Sequence, residues 1–260
     1  MVLTRRQIRK SALEDLENLY NDPRKTLVIH YSCESFKSSQ QNSKRITSIA
    51  VRELSSGQSH SFSIHLFAEQ YQISLDTNYE DAERKMLQSF YEFVQHHRDF
   101  HWIHWNMRDV VFGFQAIATR YRLLGGEPIE INSDNLHDLA SILKRIYSKT
   151  YASHPRMFDL FDLNHISRQD VLSGEEEDSA FRAKDYHKLH HSTLKKVDIF
   201  THCIESILTN TLKTKATFFE IHGWTLAAIT GNPHISFWTT LLGTIFGIIG
   251  LILALYAFKK

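Results

Sequence analysis

The chain has 260 residues, of which 42% are apolar, and its 30 Lys and Arg nearly balance its 29 Asp and Glu. Its length and apolar content suffice for one good-sized domain with a buried core or for two small ones. The near-neutral balance excludes a strong overall attraction to nucleic acid or anionic lipid, although a local basic patch is compatible with it. Cys33 and Cys203 lie far apart in apolar segments, which favours buried thiols over a disulfide framework.

The N-terminal segment, residues 1–24, is predicted to form an amphipathic helix, because Leu and Ile recur at roughly helical spacing between Leu3 and Leu19. The segment is charged throughout and lacks the apolar centre of a signal peptide, so the following domain is expected in the cytosol. Three β-rich runs come next, TLVIHYSCESF, RITSIAVREL and HSFSIHLFAE. The polar turns that separate them predict an antiparallel meander.

After the meander, residues 79–98 are predicted to form a long amphipathic helix, HWIHW a short buried strand, and residues 109–123 another helix that Gly125 and Gly126 end. The pattern is helical from there to residue 212. Three strands, a helix, a strand and a helix, followed by more helices, indicate an α/β domain over residues 25–212.

This order of elements resembles the exonuclease branch of the RNase H-like fold, the DEDD family, which removes nucleotides from the 3′ end of DNA or RNA. The first strand of the family ends in Asp-x-Glu, and the matching positions here are Ser32 and Glu34. The second family motif, an Asn followed by an Asp that opens a helix, resembles HWNMRDVVFGF, with Asn106 and Asp109. The resemblance implies an RNase H-like three-layer domain with a helical C-terminal portion.

The third family motif, His-x4-Asp on a late helix, resembles HHSTLKKVDIF. His191 takes the place of the histidine, and Lys196 stands where the acid is expected. In another register Asp198 would supply that acid. The resemblance thus implies catalytic-site positions at Glu34, Asp109 and His191; the alternative is that these three are ordinary polar residues at strand ends and helix starts.

The departures from the family motifs bear on the chemistry. Hydrolysis with two metal ions needs several carboxylates to hold both Mg²⁺ ions. Ser32 carries no charge, and the ammonium of Lys196 is predicted to occlude the site by pairing with Glu34 or Asp109 in place of the metal. The resemblance then implies a degenerate site without a cofactor, and Mg²⁺ is expected only if exonuclease activity is retained.

Histidines are numerous, and three of the 16 lie at i, i+3 and i+4 on one predicted helix, at His187, His190 and His191. A zinc site needs three or four ligands at fixed spacing. No cysteine pair and no His-Glu-x-x-His arrangement accompanies these histidines, so the sequence predicts no metal site.

The C-terminal part lacks Asp, Glu, Lys and Arg between Glu220 and Lys259. After a linker over residues 213–236, residues 237–258 are predicted to form a single transmembrane helix, since a helix that crosses a bilayer needs roughly 20 apolar residues. Gly243, Gly247 and Gly250 would let two such helices pack closely, so the chain is expected to be a homo-oligomer or a member of a complex. The expected location is the inner membrane, with the N-terminal domain in the cytosol.

Three functions are compatible with these features. In the first, a catalytically inactive, tail-anchored RNase H-like domain binds nucleic acid or a protein partner at the membrane. In the second, the chain is a membrane-perturbing effector of a bacterial defence system that acts through oligomerised helices. In the third, it is a Mg²⁺-dependent 3′-5′ exonuclease.

Overall fold

The computed structural model describes residues 3–34, 43–109, 111–224 and 233–258, and in the last of these ranges it describes the side chains of residues 235–249. Its centre is a mixed five-stranded sheet. The strands are β1 (Thr26–Cys33), β2 (Ile46–Glu53), β3 (Ser59–Ser63), β4 (His101–His104) and β5 (Leu136–Asp138). Their order across the sheet is β3-β2-β1-β4-β5. β2 is antiparallel to both β1 and β3, whereas β4 runs parallel to β1 and β5 runs parallel to β4.

The described part of the chain contains ten α-helices. They are α1 (Arg5–Asn21), α2 (Ile64–Tyr71), α3 (Tyr79–His97), α4 (Phe114–Leu123), α5 (Leu139–Tyr147), α6 (Arg156–Leu163), α7 (Gly174–Arg182), α8 (Tyr186–Leu208), α9 (Phe218–His222) and α10 (Pro233–Phe258). The α/β class is therefore confirmed.

Alternate residues of β1 enter two different hydrophobic cores. Val28 packs into a core shared with α1, α5 and α8, whereas Leu27 and Ile29 pack into a second core that contains residues of α2 and α3. Successive side chains of a strand point to opposite faces, so helices cover both faces of the sheet. This arrangement explains why β1 is buried along nearly its whole length. It also assigns His30 and Ser32 to the face that α8 covers, where His30 contacts Phe200.

The helix α1 packs against the rest of the domain through a buried face and through hydrogen bonds of Arg5. Thr4 and Gln7 form a capping box at its start, and Ala12, Leu16 and Leu19 are buried. Near the start, Arg5 donates from Nε to the carbonyl oxygen of Glu220 at 2.8 Å, and further hydrogen bonds connect its guanidinium to the C-terminal end of α5. These contacts make α1 part of the core that covers one face of the sheet.

The prediction of a transmembrane helix over residues 237–258 is wrong. Among the residues that the structure describes, no helix combines the length and the hydropathy that crossing a bilayer requires. The predicted single-pass location in the inner membrane is wrong for the same reason, and the fold class is corrected to an α/β domain in whose described residues no helix could cross a membrane.

The glycines of α10 keep their place on a helix. A Cβ atom added at Gly243 or Gly247 would meet no heavy atom within 4 Å, so both glycines border open space. Gly250 lies outside the residues whose surroundings the structure describes. Self-association through this helix stays a prediction.

Candidate functional site

The carboxyl ends of the three parallel strands define the candidate site. Because β1, β4 and β5 run in the same direction, residues that follow them meet at one edge of the sheet. Glu34 follows β1, Asn106 and Arg108 follow β4, and Asp138 ends β5. We refer to this region as the carboxyl edge.

A cavity of about 740 Å³ opens beside the end of β1. Its walls come from the end of β1, the segment before α4, the start of α6 and the first turns of α7. Phe112, Phe158 and Pro155 form apolar parts of the wall. Four carboxylates line it as well, those of Glu34, Glu175, Glu177 and Asp178. Among the described lining residues there is no Lys, Arg or His, so the lining is acidic and aromatic.

Glu34 is the buried partner of an ion pair with Arg45, whose side chain is 37% exposed. The Glu34 side chain is only 9% exposed, and Arg45 donates from Nε and Nη2 to the two carboxylate oxygens, each at 3.2 Å. The hydrogen bond to Glu34 raises the pKa of Arg45. The guanidinium also lies over the rings of Tyr79 and Phe181, at 5.1 and 5.0 Å from their centres. A bidentate pair of this kind occupies both carboxylate oxygens, which a metal ion would otherwise use.

Lys196 does not contact the acids that the sequence predicted for it. Its Nζ donates to Oε1 of Glu177 at 2.6 Å, and its side chain is 3% exposed. The predicted pairing with Glu34 or Asp109 is therefore corrected to a pairing with Glu177. The physical reason is that α7 packs against α8 and places Glu177 beside the lysine, while Arg45 already neutralises Glu34.

Ser32, two residues before Glu34, is buried beneath the site. Its Oγ has no hydrogen-bond partner within the described part of the chain, and the same holds for Nδ1 of His30. Burial, with added repulsion from Lys196 and His104, lowers the pKa of His30 well below its usual value. Ser32 thus supplies no charge to the site, as its residue type predicted, and both side chains lie on the α8 side of β1.

Asp109 lies in a tight turn that precedes α4. Its Oδ1 accepts from the backbone N–H of Val111 at 2.9 Å, and its own N–H donates to the carbonyl oxygen of Phe112 at 3.2 Å. The predicted helix over residues 109–123 begins only at Phe114, so Asp109 does not open it. A Cβ at Gly113 would lie 2.5 Å from the carbonyl oxygen of Met107, so only glycine permits this close approach.

His191 and Asp198 lie on α8, and only the first half of this helix reaches the carboxyl edge. Thr193 hydrogen bonds to Ser48, the residue that pairs with Ser32 near the end of β1. Asp198 instead forms a 2.9 Å ion pair with Arg52, which pairs with Val28 near the start of β1. The structure therefore places Asp198 towards the opposite end of the strand. His191 is exposed, and its ring centre lies 6.1 Å from that of His190.

Sequence reasoning missed Asp138, the most connected carboxylate at this edge. Oδ2 accepts from Arg108 Nε at 2.9 Å and from Ser141 Oγ at 2.6 Å, and Oδ1 accepts from the backbone N–H of Asn106 at 2.8 Å. Nearby, burial lowers the pKa of His104 to about 4. Asp138 caps the start of α5, and the string HDLAS, an aspartate before an apolar helix, was the signal that could have identified it.

Cys33 and the metal-binding residue types are the remaining sources of chemistry. Burial is the main cause that raises the pKa of the Cys33 thiol, and Glu177 adds to it, so the side chain stays protonated and is a poor nucleophile. In the described ranges, no group of three or more His, Cys, Asp or Glu has an arrangement that could hold a metal ion.

We compared the chain with protein-family models and with curated proteins, and neither comparison gave a match.

Proposed function

We propose that the chain contains a non-hydrolytic, RNase H-like binding domain and that its ligand is a protein segment held in the cavity at the carboxyl edge. The observation that carries the proposal is that three acids at or beside this edge each pair with a cation of the same chain. The pairs are Glu34 with Arg45, Glu177 with Lys196, and Asp138 with Arg108. The antiparallel meander followed by strands parallel to the first supports the resemblance in fold.

These ion pairs argue against hydrolysis with metal ions. Two Mg²⁺ ions need several carboxylates whose negative charge is not already compensated. At the carboxyl edge, the guanidinium and ammonium groups already supply positive charge, and Arg45 engages both oxygens of Glu34. A metal ion would have to displace these cations and leave them unpaired, which is costly where they are buried, as Lys196 is.

The lining of the cavity favours a protein ligand over nucleic acid. Nucleic-acid affinity depends on Lys and Arg that neutralise phosphates, and the described lining contains acids but no basic residue. Phe112, Phe158 and Pro155 offer apolar contacts, and a volume of about 740 Å³ lies in the range of ligand pockets. Asp178 in the wall pairs with Arg182 at 2.6 Å, and because the Arg182 side chain is 63% exposed, a basic side chain of a ligand can replace it there at little cost. A peptide with an aromatic and a basic side chain fits this combination.

Two dipeptides that differ only in charge test the ligand. Acetyl-Phe-Arg-amide should bind the full chain more tightly than the same dipeptide with citrulline, because citrulline keeps the shape of arginine without its charge. Binding is followed by NMR shifts and calorimetry. In Glu175→Gln/Asp178→Asn the preference for arginine should shrink, whereas Glu130→Gln, an exposed acid outside the cavity, should keep it. Equal affinities for the two dipeptides would contradict the proposed ligand.

A nuclease assay tests the absence of hydrolysis. Labelled 3′ ends of single-stranded DNA and RNA should remain intact when the protein is incubated with Mg²⁺ or Mn²⁺. Loss of the label that depends on the metal, and that Glu34→Gln abolishes, would show that the site is an exonuclease. Binding of metal-free single-stranded DNA that competes with the arginine dipeptide would favour nucleic acid as the ligand.

A further inference from the structure

Four histidines from two helices meet on a surface that the site described above does not use. His187, His190 and His191 project from the first turns of α8, and His65 comes from the first turn of α2. The ring centre of His65 lies 3.9 Å from that of His187 and 5.2 Å from that of His190. The sequence shows the three histidines of α8 but cannot show that His65 lies beside them.

Two ring nitrogens in this cluster are suited to receive a ligand. Nδ1 of His65 is hydrogen bonded to Ser63 Oγ at 2.8 Å. This bond fixes the ring and leaves Nε2 as the nitrogen that can bind a metal ion. Histidines that bind metals are commonly held in this way through the nitrogen that does not bind the metal. Nε2 of His190 is buried without a hydrogen-bond partner in the described residues, so this nitrogen lacks the contact that burial normally requires.

The spacing of the rings matches metal coordination in part. Two imidazoles that share one tetrahedral Zn²⁺ have ring centres about 5 Å apart, given Zn–N distances of about 2.0–2.1 Å. His65 and His190 have nearly this separation. His187 lies too close to His65, but it is exposed and free to rotate outward. In the side-chain positions of the structure, no three such residues among those described form a metal-binding group, so this rotation is required.

We propose that His65, His187 and His190 bind a Zn²⁺ ion or a similar divalent transition metal, which connects α2 to α8. Neutral imidazole is the preferred ligand of such ions, and three histidines leave a fourth position for water. Glu69 is the acid that acts on His65 from within α2. The proposal is independent of the cavity and of its ligand.

Metal titration of the full chain, stripped with a chelator and carrying no histidine tag, tests the proposal. Calorimetry with Zn²⁺ should give one equivalent per chain, and Co²⁺ should give the visible absorption of a tetrahedral complex. Zn²⁺ should also raise Tm, because it binds only the folded state. His190→Ala and His187→Asn should each weaken Zn²⁺ binding by about tenfold or more.

His202→Ala is the matched control, since His202 is an exposed histidine further along the same helix. It should bind Zn²⁺ as the parent does. His187 is exposed, so His187→Asn is expected to fold and keeps the test decisive if His190→Ala does not. The proposal is overturned if the parent shows no stoichiometric binding, or if His187→Asn and the control bind Zn²⁺ equally, which would indicate only adventitious surface binding.

Discussion

Replacing Lys196 by methionine tests whether its ion pair holds the carboxyl edge together. Methionine keeps most of the apolar stem of lysine but removes the ammonium, so Glu177 loses the donor 2.6 Å away. Breaking a fully buried pair costs about 3–5 kcal/mol. Since the Glu177 side chain is 19% exposed at the cavity wall, water can solvate part of its charge. We therefore expect Lys196→Met to lower the free energy of unfolding by about 2–3 kcal/mol.

Urea unfolding followed by circular dichroism measures this change. Glu177→Gln should cost a similar amount, because the buried ammonium is then left without a carboxylate. The double variant should cost less than the sum of the single variants, by about 1–2 kcal/mol, because it removes both charges. Lys10→Met is the matched control, and since the Lys10 side chain is 75% exposed we expect a change below about 0.5 kcal/mol. Additive single effects, or a Lys196→Met cost as small as that of the control, would refute the reasoning.

Three further predictions concern stability. Burial holds the pKa of His104 at about 4, below its usual 6.5, so the unfolded chain binds the proton first, and this one histidine should lower stability by about 2 kcal/mol from pH 7 to pH 5. Other histidines with lowered pKa values, such as His30 and His137, add to the slope. His104→Asn should remove its own part of the slope in urea titrations, and an unchanged slope would contradict it. Gly113→Ala should lower stability by about 1–3 kcal/mol, because its Cβ would overlap the carbonyl oxygen of Met107; an unchanged Tm would contradict this. Ser32→Ala should cost less than about 0.5 kcal/mol, because the hydroxyl has no partner to lose, and a larger loss in urea unfolding would reveal one.

The strands were predictable from the sequence where an apolar run was long enough to distinguish a strand from a helix. The meander and the HWIHW strand were found, but β5 has three residues, too few to establish a period. HSFSIHLFAE was predicted as one strand, yet it divides into β3 and α2 at Ser63. Local residue types do not determine this boundary, since packing against α3 and α8 favours a helix there.

The sequence predicted where the site residues lie in the fold, but it did not predict which residues they pair with. Glu34 was correctly expected at the end of a strand, because its local sequence defines that end. Its partner Arg45 directly precedes β2, and the partner of Lys196 lies on α7. Such pairings depend on how helices pack over the sheet. Sequence spacing alone does not contain that information, which is also why the convergence of His65 with α8 was missed.

The number of internal ion pairs determines how difficult it would be to create a Mg²⁺ site at the carboxyl edge. Ser32→Asp/Lys196→Asp adds two acids, but Arg45 still covers both oxygens of Glu34 and competes with the metal for them. We therefore expect little Mg²⁺ affinity in this double variant. Adding Arg45→Gln should tighten Mg²⁺ binding by about tenfold or more, because Glu34 then contributes its charge to the acids beside it. Calorimetry compares the two, with circular dichroism to verify folding, and tight Mg²⁺ binding by the double variant would show that Arg45 does not block the site.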